Sequence, residues 1–535
     1  MSHRCGVAMR VLGLLLLLCS GLLSTFVVMA SDTVLDIGHV DSDLETLDPQ
    51  YTTGRGRFIT AMLFNALVRY TPGSILGFEP DLAEAIPEPV DLENGGRSWT
   101  FKLREGVMFH PFDGNPGYEL TADDVVYSLQ KSADPARSAC SGEYEGLSFN
   151  AIDKYTVQIV SESALSQQLL LPKIADFFGG LIVSKQAVEE MGDEEFATHP
   201  VGTGPFRFEE YVPMDHVTLV ANENYFEGTT KIETVKIYFM PDLSSRELGL
   251  RNGELDLIYG SRSSDWVEKV NGYEGVSAVL FGPSEPGVVY FDVTKEPFTD
   301  IRVRKAIAYA LDRNAWTDYY GDFAEPMYSQ VPAQYLAGGL TKAEVEAAGL
   351  LYEYDQGMAR QLLDEAGFTN GLTLNVIITE DKATLDSMLI IQSQLAEVGV
   401  TLELEVVAHR TWHARIRADE NRLNLYEAWR TSADSYLTRF FHSDSIVVTG
   451  AAPDTNFAHY DKIDYLIETA RGEPESGAQS AWWQAAQVMI LEDMVAYPLY
   501  GLKFAYAKSD RLDFGYELQA SLVAGPHIRW NATLE

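Results

Sequence analysis

Two stretches of this 535-residue sequence each read as a strand, a helix and a second strand, and that pattern limits the fold more than any other feature. In the first, Val235 to Met240 is a largely apolar strand and Pro241-Asp242 turns the chain. Ser244 is placed to cap a helix that runs to Asn252, Gly253 ends it, and Leu255 to Tyr259 makes the next strand. In the second, Leu372 to Thr379 is a strand and Thr384 to Val398 a helix closed by Gly399. Thr401 to Val407 then alternates, with Leu402, Leu404 and Val406 on one face. Parallel strands joined through a helix require a right-handed crossover and a covered sheet. The units lie about 140 residues apart, which predicts an α/β chain with one sheet in each of two lobes.

The remaining elements fit around these units. Residues 76–200 read as an inserted α+β portion of the first lobe. Trp99 to Arg104 and Tyr155 to Val160 alternate as strands, and Phe109 to Gly117 is a Pro/Gly-rich loop. Thr121-Ala-Asp-Asp124 has capping-box spacing ahead of a helix over Val125 to Lys131. Asp355 is placed to cap a helix from Met358 to Ala366 that stops at Gly367. A helix over Ile301 to Leu311 is predicted to turn Ile301, Ala308 and Leu311 inward and Arg302, Arg304 and Lys305 outward.

The first thirty residues have the form of an export signal. Arg4 and Arg10 precede an apolar run from Val11, and Val28-Met29-Ala30 leads into Ser31-Asp32. Leu16-Leu17-Leu18 ahead of Cys19 lacks the small residue a lipid-anchored cysteine needs. Cleavage after Ala30 leaves 38 basic against 78 acidic residues, a formal charge of −40, and Cys140 as the one remaining cysteine. The expected product is a periplasmic protein with no intrachain disulfide. With 46% hydrophobic residues it is globular, and its acidity opposes binding to nucleic acid or an anionic membrane.

The chain shows no Gly-x-Ser-x-Gly elbow, His-Glu-x-x-His, Walker loop or EF-hand loop, so no catalytic residue is assigned. Cys140 has no neighbouring base. His409 and His413 stand one helical turn apart but lack an acidic or Cys partner at metal-site spacing, so neither a metal nor a cofactor is expected. Gly202-Thr-Gly204-Pro205 reads as a tight turn into a strand at Phe206, since proline follows where a phosphate loop needs helical N–H groups.

Several strings then resemble one family in their order and spacing. They include Leu47-Asp48-Pro49, Thr100 to His110, Leu120 to Leu129, Val201 to Phe208, Asn252 to Asp256, Tyr290 to Phe298 running into Asp300 to Arg313, and Ala359 to Gly367. Together they resemble the family 5 extracellular solute-binding proteins of ABC importers, the group of dipeptide-, oligopeptide- and nickel-binding receptors. The resemblance implies a two-lobed periplasmic-binding-protein-like fold (type II) with an extra α+β subdomain in the first lobe and a ligand cleft between the lobes. It implies a signal peptide at 1–30, lobe I over 31–289, lobe II over 290–504 and a return to lobe I over 505–535. Crossings between lobes are expected near Val288–Asp292 and Tyr500–Ala507. The implied function is capture of a peptide-like or other small polar solute by a monomer that delivers it to ABC permease subunits in the membrane. An oligosaccharide, an opine-like conjugate or a metal chelate is the alternative cargo, and a chemosensory adaptor the alternative role.

By the same resemblance the cleft loop is Trp429 to Leu437. Trp429 stands at the family's aromatic position, and Arg430, Asp434 and Tyr436 are further candidates. Ser432 stands where peptide-holding relatives carry an early Asp that meets the ligand ammonium, and Ser435 where Pro is usual. Thr53 and Arg55 in the loop after the first strand, Tyr290 at a crossing and Arg262 after a strand end complete the candidate ligand-binding set.

Overall fold

The computed structural model describes residues 33–44, 46–51, 56–523 and 525–535, so the expected signal segment lies outside the described residues. The first lobe opens with strand β1 (Val34–His39) and helix α1 (Arg57–Leu63). A four-stranded antiparallel sheet follows, built from Val90–Asp91, β2 (Arg97–Lys102), β3 (Leu147–Asp153) and β4 (Thr156–Ser161). Helix α2 (Ala122–Ala133) packs on it. Its start is the expected capping box, with the Thr121 N–H donating to Asp124 Oδ2 at 3.0 Å. This α+β portion falls within the predicted 76–200.

The turn at Gly202–Pro205 feeds β5 (Phe206–Val212) and presses on the end of α1. A Cβ at Gly202 would stand 2.1 Å from the Leu63 carbonyl oxygen, and the Gly204 N–H donates to that oxygen at 2.9 Å, so glycine is required by close backbone approach. Next come β6 (His216–Ala221), β7 (Thr234–Phe239), α3 (Leu243–Asn252) and β8 (Leu257–Tyr259). Strand β1 lies between β7 and β8 and parallel to both. The cap of α3 is Asp242 and not Ser244. The helix begins at Leu243, which puts Asp242 at the position whose carboxylate accepts the Ser245 N–H, at 2.8 Å.

Helix α4 (Ser264–Asn271) leads into the long strand β9 (Val276–Phe291) and then α5 (Ile301–Ala310). Arg304 on α5 departs from the expected outward position. It is buried and donates to the carbonyls of Met494, at 3.0 Å, and Asp493, at 2.7 Å, capping chain ends that helical periodicity does not show. Helix α6 (Gln356–Glu365) carries the predicted Asp355 cap. The second parallel unit is β10 (Leu372–Thr379), α7 (Lys382–Glu397) and β11 (Val400–Val407). Helix α7 starts before Thr384, because Asp381 is its cap. The chain ends through α8 (His409–Arg417), β12 (Leu423–Glu427), α9 (Ala433–Phe441), α10 (Asp464–Gly472), α11 (Ser476–Glu492) and β13 (Ala496–Ser509).

The two lobes do not own separate large sheets. One nine-stranded sheet runs β12-β9-β13-β8-β1-β7-β6-β5, with Ala324–Pro326 added on β13, while β10 and β11 form a two-stranded sheet of their own. The reason is length: β9 has 16 residues and β13 has 14, and their antiparallel pairing spans both lobes. That pairing slips between Phe281 and Glu285 and between Gly287 and Val288. Alternate residues of the sheet serve two cores. Ile37, Leu257, Phe281 and Tyr506 join the core of the α+β portion. Ile258, Ala505 and Ala507 face the other way, into a core continuous with Ile307, Trp316, Leu425 and Trp483 of the second lobe. Cys140 is free, and the cores hold the fold without a disulfide among the described residues.

Candidate functional site

A cavity of about 1620 Å³ lies between the lobes. It exceeds the roughly 300–1,000 Å³ usual for small-molecule sites, so it has room for a solute larger than one amino acid. Its walls come from the carboxyl ends of parallel strands in both lobes, where α/β sheets place ligands. His39 ends β1, Phe239 ends β7 and Tyr259 ends β8. Across the cleft, Asp381 follows β10 and His409 and His413 follow β11. Away from the crossing strands the rim is bridged. Ser166 Oγ donates to Gln479 Oε1 at 2.8 Å, an Arg97 N–H donates to the Pro474 carbonyl at 3.3 Å, and Leu169 joins the second lobe's core.

Trp429 and Arg430 lie on the wall, just beyond the end of β12. The Trp429 ring meets Tyr335 and Tyr436 edge-on, each at 6.2 Å, and its buried indole N–H has no partner among the described residues. Arg430 donates to the Trp429 carbonyl at 2.8 Å and lies 5.1 Å over the Phe440 ring. Burial and the nearby Arg439 cation pull its pKa down. Asp434 is also on the wall, but Arg471 Nε donates to it at 2.9 Å. Ser432 is occupied as the cap of α9, accepting the Ser435 N–H at 3.1 Å. The loop therefore presents no carboxylate free of a basic partner.

Arg262 reaches the wall from lobe I, where it pairs with Glu285 at 2.9 Å and covers Phe504. Tyr436 and Tyr290 are buried behind the wall. Tyr436 donates to the Ala428 carbonyl at 3.1 Å, and Tyr290 stacks on Phe440 at 5.3 Å, so both support the loop from beneath. Thr53 and Arg55 lie outside the described residues.

Glu427 is a wall residue that the sequence does not single out. Its carboxyl is pushed up to about 7, mainly by burial and then by the Glu285 charge, against the opposing effects of the Tyr500 hydroxyl and Arg262. Tyr500 OH donates to Glu427 Oε1. The only available signal was its place at a strand end two residues before Trp429.

The histidine pair is also on the wall. Arg417 contacts His413 Nδ1 at 3.1 Å and can only donate, so that nitrogen accepts. His413 Nε2 meets His409 Nε2 at 3.1 Å, and His409 Nδ1 meets Thr379 Oγ1 at 3.0 Å. Burial and the neighbouring positive charges push His413 down to about 4. Among the described residues the one cluster of three metal-type ligands is elsewhere, at Asp292, Asp419 and His459, and Lys295 pairs with both of its carboxylates.

Comparison with known proteins decides the family. The profile of "Bacterial extracellular solute-binding proteins, family 5 Middle" matches residues 77–446. The chain belongs to this family. Among curated relatives, Heme-binding protein A of Haemophilus influenzae is 27% identical, over 80% of this chain and 79% of its own. Di/tripeptide-binding protein 2 of Pseudomonas aeruginosa is 26% identical, over 85% of this chain and 87% of its own. Among solved structures, the binding protein MoaA of A. tumefaciens in complex with mannopinic acid superposes with a TM-score of 0.76. It is 34% identical, with 94% of this chain and 100% of that one covered. The fold is that of the two-lobed binding proteins. Among the described residues no helix is long and apolar enough to cross a membrane.

Proposed function

We propose that this family 5 protein captures a small polar solute in the interlobe cavity and delivers it, chemically unchanged, to an ABC permease. The observation that carries the reading is the cavity itself: both lobes line it with the carboxyl ends of parallel strands, so a bound solute touches both and favours their closure. Trp429 and Arg430 make the first contacts, Arg262 borders the floor, and Tyr290 and Tyr436 keep the loop in place. The lobes divide at 31–289, 290–504 and 505–535, and the working form is an exported periplasmic monomer with no catalytic activity of its own.

Two observations favour an opine-like conjugate over a plain peptide as cargo. A protein 34% identical to this one holds mannopinic acid. Asp434 is taken by Arg471 and Ser432 by its helix cap, which leaves the loop without a carboxylate free for a peptide ammonium. Mass spectrometry of solute released from gently purified protein tests the reading, followed by a thermal-shift titration with the solute found. A genuine ligand at about 100 times its Kd adds roughly 2.7 kcal/mol of stability. A protein that carries nothing and is stabilised by no solute, or that returns its solute cleaved, contradicts the reading.

A further inference from the structure

The cavity does not share the chain's charge balance. The whole sequence has 40 basic and 78 acidic residues. On the cavity wall, six Lys and Arg side chains face seven Asp and Glu side chains among the described residues. The basic residues also concentrate in one corner. There Lys173 pairs with Glu143 at 2.8 Å, Arg471 with Asp434 at 2.9 Å, and Arg439 with Asp454 at 3.2 Å. Every carboxylate of that corner is matched, and Arg430 is the cation left over.

Its setting is costly for a charge. Its Nε is buried without a partner, one NH group is spent on the neighbouring Trp429 carbonyl, and the plane lies on Phe440. The indole N–H of Trp429, a second buried donor without a partner among the described residues, belongs to a side chain on the same wall. A desolvated guanidinium with no carboxylate is unfavourable unless an anion arrives to compensate it. A guanidinium fork with an adjacent N–H donor suits a planar oxyanion.

We propose that Arg430 is an anion subsite and that the solute captured in this cavity carries a carboxylate, received by Arg430 beside Trp429. Elsewhere on the wall Glu285, Glu427 and Asp381 stand together against Arg262 alone, a setting that suits hydroxyl or ammonium groups of the same solute. This rests on the receptor reading above and adds the chemical class of its cargo.

The test uses the full chain, freed of bound solute, in thermal-shift titrations. The probes are mannopinic acid, the dipeptide Met-Leu, the carboxamide of each, glycerol 3-phosphate and maltotriose. At least one free acid is expected to bind at least tenfold tighter than its carboxamide. Arg430→Gln should weaken that acid at least tenfold, and Arg430→Lys, which keeps the charge without the fork, should recover part of the loss. The ligand-free Arg430→Gln protein should unfold at the same or a higher temperature, since an uncompensated buried charge has been removed; a purely structural arginine would give a lower one. Equal binding of acid and carboxamide, preference for the phosphate or maltotriose, or unchanged affinity in Arg430→Gln overturns the anion subsite while leaving the receptor reading intact. A panel in which nothing binds contradicts both.

Discussion

At the scale of single residues, Glu427 sets how the cavity responds to pH. Its carboxyl is pushed up to about 7, so it is neutral below that pH and charged above it. The groups around it are Glu285 on β9, Arg262 after β8, Asp381 at the cap of α7, and Tyr500 on β13; Tyr320 is a further neighbour. His413, held near 4, stays neutral through the same range. Ionising Glu427 adds negative charge to the cavity, so capture of a carboxylate solute should weaken as pH rises through 7. Calorimetric titrations between about pH 5.5 and 8.5 check this, and Glu427→Gln should flatten the dependence. The folded state also holds this proton more tightly than the unfolded chain, so Glu427 costs stability as pH climbs from the ordinary glutamate range to about 7. Trp429→Ala should weaken capture about tenfold or more, because an aromatic wall and an unmatched donor go together. Trp429, Arg430, Asp434 and Arg262 were legible as candidates because each stands in or next to a recognisable loop or strand end. Glu427 was not, since its raised carboxyl comes from burial and then from the charge of Glu285, which only the folded sheet brings beside it.

At the scale of elements, the same limit recurs. Both strand–helix–strand units and the capping box at Thr121 are local patterns, and the structure contains them. The first unit's cap lies two residues before Ser244, at Asp242, and the second unit's helix starts two residues before Thr384, at Lys382, because several side chains near a helix start can serve and packing selects one. The joined sheet was hidden, because β9 and β13 pair across more than 200 residues of sequence. Gly287 shows why that pairing matters to the cavity. A Cβ there would stand 2.3 Å from the Tyr500 ring, so glycine lets the ring cross the strand and place its hydroxyl on Glu427. The rim contact gives a separate prediction. Gln479 accepts from Ser166 and donates to the Ala470 carbonyl at 2.7 Å, all in a buried setting. Gln479→Ala leaves those groups unmatched, at about 1–3 kcal/mol, and part of that cost falls on the bridged state alone. The variant should bind solute several-fold to about a hundredfold more weakly, and single-molecule distance measurements across the rim should find it open more often. Unchanged affinity and spacing would show that the rim contact does not contribute to closure.

At the scale of the whole molecule, the account is one of two lobes, two crossing strands and a cavity that both lobes complete. With its rim joined at Ser166–Gln479 and Arg97–Pro474, we take this arrangement as the closed one. A solute that takes such a molecule from 1% to 99% closed must favour the closed state by about 5.5 kcal/mol, and only contacts to both lobes supply a difference of that size. The formal charge of −38 disfavours close approach of two copies, which accords with the monomer proposed above. Small-angle scattering of the ligand-free protein, before and after saturation with the solute released from it, tests the central claim most directly. The account predicts that the radius of gyration falls on saturation and that the loaded profile matches the closed arrangement. Superimposable profiles with and without that solute would contradict it.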